Sequence, residues 1–173
     1  MSSPDLGMPD RWSRLWAPHR MEYLKGENRP LGQNEEDCPF CRIPTLSDEE
    51  GLIVARGEFA YAVMNLYPYN AGHLLICAFR HVADLTDLTK GERDEISAMS
   101  AHAMVTLRKV AAPAGFNLGM NQGAISGAGV AEHIHQHVVP RWSGDANFMP
   151  IIGQTKVMPV LLAQTRAELA AAW

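Results

Sequence analysis

The sequence predicts an α+β domain in which an antiparallel sheet of about five strands packs against one long helix, with a second helix at the C-terminus. Two patterns predict it: successive segments of strand length rich in β-formers from residue 52, and a stretch over 89–112 with helical spacing and signals at both ends. The composition agrees. A chain of 173 residues, 47% apolar and 20% charged, has enough apolar surface for one core.

The elements follow in chain order. Residues 1–36 are polar, with Trp12, Trp16, Met21 and Tyr23 as isolated anchors, and read as an N-terminal arm preceding a domain over 37–173. "LIVA" from Leu52, "FAYAVMN" after the turn-like "RGE", and "HLLICAF" read as three antiparallel strands. Thr89 followed by Glu92 has the form of a capping box. Ile96, Met99, Ala103, Leu107 and Val110 then recur at helical spacing, Arg108 and Lys109 lie near the end, and Gly115 can stop the helix. "FNLGMN" alternates Phe116, Leu118 and Met120 with Asn117, Gly119 and Asn121, so the sheet is expected to have one buried face and one small, polar face. The loop "QGAISGAG" leads to a histidine-bearing strand ended by Pro140. "KVMPVLLAQTRAELAAAW" reads as a C-terminal helix with a proline near its start.

Charge and composition exclude several functions. A net charge of −4 argues against tracking a nucleic-acid polymer, which relies on many Lys and Arg contacts to phosphate, while a small anionic ligand stays open. No segment has the form of a signal peptide or approaches the roughly 18 apolar residues of a membrane span. Three cysteines are too few for a secreted disulfide scaffold, so the chain reads as cytoplasmic.

Chemistry concentrates in "HIHQHVV". On an extended strand His133, His135 and His137 share one face and Ile134, Gln136 and Val138 the other. A single histidine there could be a hydrogen-bonded packing residue; three in a row argue for a site. His133 and His137 would lie about 13 Å apart at roughly 3.3 Å per residue, too far to close on one ion, so at least one ring is left for other chemistry. A neutral imidazole is a nucleophile at pH 7 and a neighbouring ring can donate to an oxyanion, which suits attack on phosphorus with the middle ring as attacker. Gly123, Gly127 and Gly129 in the preceding loop let the backbone approach a phosphate, although glycine loops often only turn the chain.

Cys38 and Cys41 in "CPFC" have the spacing of half a zinc site, with unligated surface cysteines as the alternative. A reactive thiolate needs positive surroundings, whereas "NEED" and "SDEE" flank the pair and no helix pattern starts after it. Cys77 reads as a buried packing residue, His19 and His102 as surface residues, and Arg141 as a strand-end charge that could reach a phosphate.

"HIHQHVV" resembles the signature of the histidine-triad (HIT) family of nucleotide hydrolases and transferases. "MNLYPYNAGHLLICAFRHVADL", "GMNQGAISGAG" and "HVVPRWSGDANFMP" are similar to its bacterial branch, related to fragile-histidine-triad and diadenosine tetraphosphate phosphorylase proteins, over roughly residues 11–165. The resemblance implies a HIT-like fold and cleavage of dinucleoside polyphosphates through a nucleotidyl-histidine, with water or orthophosphate as acceptor and no catalytic metal. It implies His135 as nucleophile, His137 and His73 near the phosphate oxygens, Asn121 and the Gly127–Ala128–Gly129 backbone on phosphate, and Asn65 on the ribose. It also implies a structural zinc on Cys38, Cys41, His81 and His133, and a homodimer.

Two positions depart from the family pattern. Gln136 replaces an apolar residue but points away from the reacting face. Ala128 and Gly129 stand where phosphorylase-type relatives tend to carry Gly-Ser, which weakens orthophosphate as acceptor and leaves hydrolysis level with phosphorolysis. The rivals are a nucleoside phosphoramidase or other nucleotidyltransferase, and a non-catalytic nucleotide- or zinc-binding module.

Overall fold

A computed structural model describes residues 34–145 and 160–173. One helical turn, α1 (Pro39–Arg42), precedes the antiparallel strands β1 (Ile53–Arg56), β2 (Ala60–Met64) and β3 (Leu74–Ala78). The long helix α2 (Lys90–Ala111), strands β4 (Gly115–Met120) and β5 (His135–Arg141), and helix α3 (Leu162–Ala172) follow. The five strands form one sheet in the order β1-β2-β3-β5-β4, antiparallel throughout. Residues 1–33 of the arm expected over 1–36, and the proline expected near the start of the last helix, Pro159, lie outside the described residues. Among the described residues no helix is long and apolar enough to cross a membrane.

Helix α2 starts where its capping box predicts. The Thr89 side chain accepts from the Glu92 amide, and the Glu92 carboxylate accepts from the Thr89 amide at 2.6 Å. It ends earlier than Gly115. Ala112 takes the left-handed conformation at φ 44°, ψ 52°, ahead of Pro113, whose ring disfavours a helical residue before it, and Gly115 instead opens β4. The apolar stripe Ile96, Met99, Ala103 and Leu107 lies in one core with Leu74, Ile76, Val138 and Leu169 of α3.

Helix α2 also pins the β1–β2 turn. The Glu95 carboxylate accepts from the amides of Glu58, Phe59 and Ala60, and a Cβ at Gly57 would come within 2.5 Å of it, so a side chain there would push the carboxylate off these amides.

The expectation of one buried and one polar face is corrected at the sheet centre. Every residue of β2 and β3 is buried, and Ile53, Tyr61, Val63, Leu75 and Cys77 form a second cluster with Cys38 and Phe40 on the face away from α2. Runs such as "AYAVM" and "LLICA" are apolar at every position, so alternation cannot reveal that both faces are covered. Among the described strands the edge strand β4 is the most open, with no fully buried residue and Leu118 47% exposed.

Candidate active site and metal cluster

The histidines of β5 face the second cluster. His135 pairs with Cys77 and His137 with Leu75 on β3, while on the other side Gly119 of β4 lies opposite His137. A Cβ built on Gly119 meets no atom within 4 Å, so the surface beside His137 is open. The register Met120↔Gln136 carries the next residue, Asn121, towards His135.

The three rings do not form the single row expected of one continuous strand. Strand β5 begins at His135, because the Ile134 amide donates to the Val82 carbonyl at 2.6 Å instead of joining the ladder. His133 therefore sits ahead of the sheet with its ring turned to the cysteines, and only His135 and His137 share the ladder, their centroids 5.0 Å apart.

Hydrogen bonds assign a proton to each ring. His135 Nδ1 lies 2.8 Å from the His133 carbonyl, which can only accept, so Nδ1 carries the hydrogen and Nε2 keeps its lone pair. The Tyr69 amide donates to His73 Nδ1 at 3.0 Å. His73 Nε2–H therefore donates to His137 Nδ1 at 3.0 Å, which places the remaining hydrogen of a neutral His137 on Nε2. That Nε2 is buried and has no hydrogen-bond partner among the described residues. Burial holds His135 below the usual imidazole range and, with a smaller contribution from His135, lowers His137 to about 4, so both are neutral at pH 7.

Around these rings Tyr69 stacks on His137, with centroids 5.6 Å apart and planes at 23°, and tilts over His73 at 4.9 Å. The Asn65 side chain bridges the loop: its Oδ1 accepts from the Tyr67 amide at 2.9 Å and its Nδ2 lies 3.2 Å from His73 Nδ1. The glycine loop closes with Gly123 and Gly127 at φ 76° and 87° around a short 3-10 turn, and Ala128 is buried. Arg141 is held in an ion pair with Asp145 and bonded to Asn117, so its charge is answered within the chain.

Behind His135 lies a second group. The ligand atoms of Cys38, Cys41, His81 and His133 all lie within 4.8 Å of one another. His133 Nδ1 is 3.4 Å from Cys38 Sγ and 3.5 Å from Cys41 Sγ, and His81 Nδ1 is 3.3 Å from Cys41 Sγ. His133 Nε2–H donates to the Ala78 carbonyl at 2.9 Å, which leaves the Nδ1 lone pair aimed at the sulfurs. Burial, then the neighbouring Cys38, pushes the Cys41 thiol up to about 12, so a Cys41 thiolate forms there only beside a cation. Two sulfurs and two imidazole nitrogens fit a tetrahedral zinc.

Two readings of the motif are corrected. The cysteines are not exposed, Cys38 being 1% accessible, and burial rather than the acidic flanks dominates the thiol. A helical turn also runs through the motif, started by Pro39 at its first position. Cys77 is buried as expected, and His102 is exposed and packs on Trp173 at 4.8 Å. His19 lies outside the described residues. Sequence reasoning missed Tyr69 and Phe40. Phe40 lies between the two cysteines with its ring 4.8 Å from His135 and 5.5 Å from His133, and its place in "CPFC" was the available signal.

The HIT domain family model matches residues 48–144. The chain is 50% identical over 171 residues to a protein of Mycobacterium tuberculosis (strain H37Rv) named AP-4-A phosphorylase, covering 97% of this chain and 88% of that one. It is 31% identical to the asymmetrical bis(5'-nucleosyl)-tetraphosphatase of Schizosaccharomyces pombe, over 61% of this chain and 56% of that one. Among solved structures, a Zn-bound histidine triad family protein from Mycobacterium smegmatis has the same fold at a TM-score of 0.64 and 24% identity, covering 80% of this chain and 94% of that one.

Proposed function

From the premise that the chain belongs to the HIT domain family, we propose that it is an enzyme cleaving dinucleoside polyphosphates such as diadenosine tetraphosphate through a nucleotidyl-histidine on His135. The observation that carries this reading is the assignment of ring protons: a free lone pair on His135 Nε2 beside a buried, unpartnered N–H on His137.

His135 Nε2 attacks the α-phosphorus, an N–P bond forms, and the P–O bond to the nucleoside polyphosphate breaks. His137 Nε2–H donates to a phosphate oxygen as charge develops there, and His73 fixes the His137 tautomer from behind. Asn121 and the Gly127–Ala128–Gly129 backbone bind phosphate, and Asn65 approaches the ribose from the loop beside His73. An acceptor oxygen then attacks the adduct and restores neutral His135. Donors from the chain surround the phosphate, so the step requires no catalytic metal.

Orthophosphate as acceptor is supported by the name of the 50% identical relative. Water is supported by Ala128 and Gly129, which bring no hydroxyl to the loop. Cys38, Cys41, His81 and His133 hold a structural zinc, for which the donor set and the lone pair of His133 argue. The cytoplasm would keep these thiols reduced, and the open edge of β4 suits a homodimer.

The test is incubation with diadenosine tetraphosphate with and without orthophosphate, with rapid quenching and peptide mapping by mass spectrometry. ATP with ADP is expected when phosphate is the acceptor, ATP with AMP when it is water, and an AMP adduct on His135 in both. An adduct on another residue, or no turnover of any dinucleoside polyphosphate, overturns the reading.

A further inference from the structure

Two independent links run from the cysteine–histidine cluster to His135. The first is a main-chain bond: His133, a member of the cluster, offers its carbonyl to His135 Nδ1–H at 2.8 Å. The second is a ring. Phe40 is buried between Cys38 and Cys41, lies with its plane at 44° to His135, and meets His133 edge-on at 67°. Its carbonyl accepts from the Tyr61 hydroxyl at 2.7 Å, which seats the turn on the centre of the sheet.

The turn that carries Phe40 is four residues long, too short to hold a helix by itself. The four donor atoms of the cluster, of which only Cys41 Sγ lies in that turn, are linked among themselves by thiol–imidazole contacts of 3.3–3.5 Å, far weaker than bonds to a shared cation. A metal that draws the four donors together would therefore fix the positions of Phe40 and of the His133 carbonyl at once.

Resting on the reading of His135 as nucleophile, we propose that the Cys38–Cys41 turn is a positioning device for that ring, with Phe40 as the positioning residue. With all four donors on one divalent ion, Phe40 and the His133 carbonyl hold His135 in the tautomer whose Nε2 is free. With the donors released, the ring samples both tautomers and both faces.

The first measurement needs no substrate. Long-range 1H–15N spectra of histidine-labelled full chain are taken at one fixed pH, zinc-loaded, after chelation, and after zinc is returned. The loaded protein is expected to show His135 with a protonated Nδ1 and a bare Nε2, the stripped protein to show averaged shifts, and added zinc to restore the first spectrum. A stripped, folded chain whose His135 keeps the single tautomer overturns the proposal.

The second measurement uses Phe40→Leu carrying one zinc per chain. We expect averaged His135 shifts and a kcat on diadenosine tetraphosphate lower by about tenfold, with KM within about twofold, and recovery in Phe40→Tyr, which keeps the ring. A zinc-loaded Phe40→Leu with the parent spectrum and the parent kcat also overturns it. If chelation unfolds the chain the variant decides, and if the variant loses zinc the stripped parent decides. Absence of an adduct on His135 in the parent overturns the enzymatic reading and leaves the tautomer result to stand or fall alone.

Discussion

At His137 a neutral imidazole has one acceptor and one donor, and the described residues occupy only the acceptor. His73 Nε2–H reaches His137 Nδ1, and the opposite N–H is buried without a partner among the described residues. An unmet buried donor is unfavourable, so its persistence argues for an acceptor that arrives with the substrate. His137→Phe removes that donor while keeping a flat ring. It is expected to lower kcat/KM on a dinucleoside polyphosphate by roughly 100-fold, while nucleotide binding measured by calorimetry weakens much less. His137→Gln restores an amide donor at nearly the same reach and should recover part of the loss; equal rates for the two variants would remove the donor from the mechanism. Much of this site was legible in the sequence. Alternation on a strand places His135 and His137 side by side, and the resemblance supplied His73. Tyr69, in an irregular loop, belongs to no periodic pattern, and the one signal for Phe40 is its place inside "CPFC", where the spacing of the cysteines points to the sulfurs first.

At the scale of elements, the start of α2 is tied to the segment after β3 that carries His81. Glu92 closes the capping box on Thr89 and takes two bonds from Arg80, at 2.9 and 2.8 Å, with its own side chain 6% exposed. The Arg80 guanidinium, helped by the Thr89 bonds against the cost of burial, lowers the Glu92 carboxyl from 4.5 to about 2. Because the folded value lies below the unfolded one, the stabilisation from Glu92 is fully present above pH 4.5 and fades as pH falls from there through 2. Glu92→Gln should therefore lower stability at pH 7 by roughly 2 kcal/mol in urea titration. It should also flatten the loss of stability between pH 4.5 and 2, the window set by the two values. A variant that loses stability equally at both ends would assign Glu92 a packing role only. The beginning of this helix is written in Thr89 and Glu92, which act locally. Its end is not, because Ala112 has no preference for a left-handed conformation and takes one under the constraint of Pro113 and the pairing of Gly115 with Arg141.

For the whole molecule, the two sides of the sheet have different relations to solvent. The α2 side forms a closed core except beside β4, where Leu85, Met104, Leu118 and Met120 line a groove of about 530 Å³ together with Arg93 and Gln136. Among the described residues the strand bounding this groove has an unpaired edge, and such an edge beside exposed apolar side chains favours pairing with another chain. A second copy can meet it edge to edge, because a two-fold axis through β4 sets each strand antiparallel to its mate and brings the two grooves together. The polar Gln136, out of place against the family pattern, then lies in a contact rather than in a sealed core. Sedimentation of the parent chain is expected to give twice the mass of one chain. Leu118→Asp sets two carboxylates close to the axis in a region losing its water, so that variant should sediment as a monomer. Its circular dichroism should match the parent, since the side chain is 47% exposed in the single chain. A parent that is monomeric at every concentration would sink the edge-to-edge pairing, as would a Leu118→Asp chain that stays dimeric, and Gln136 would then need another explanation.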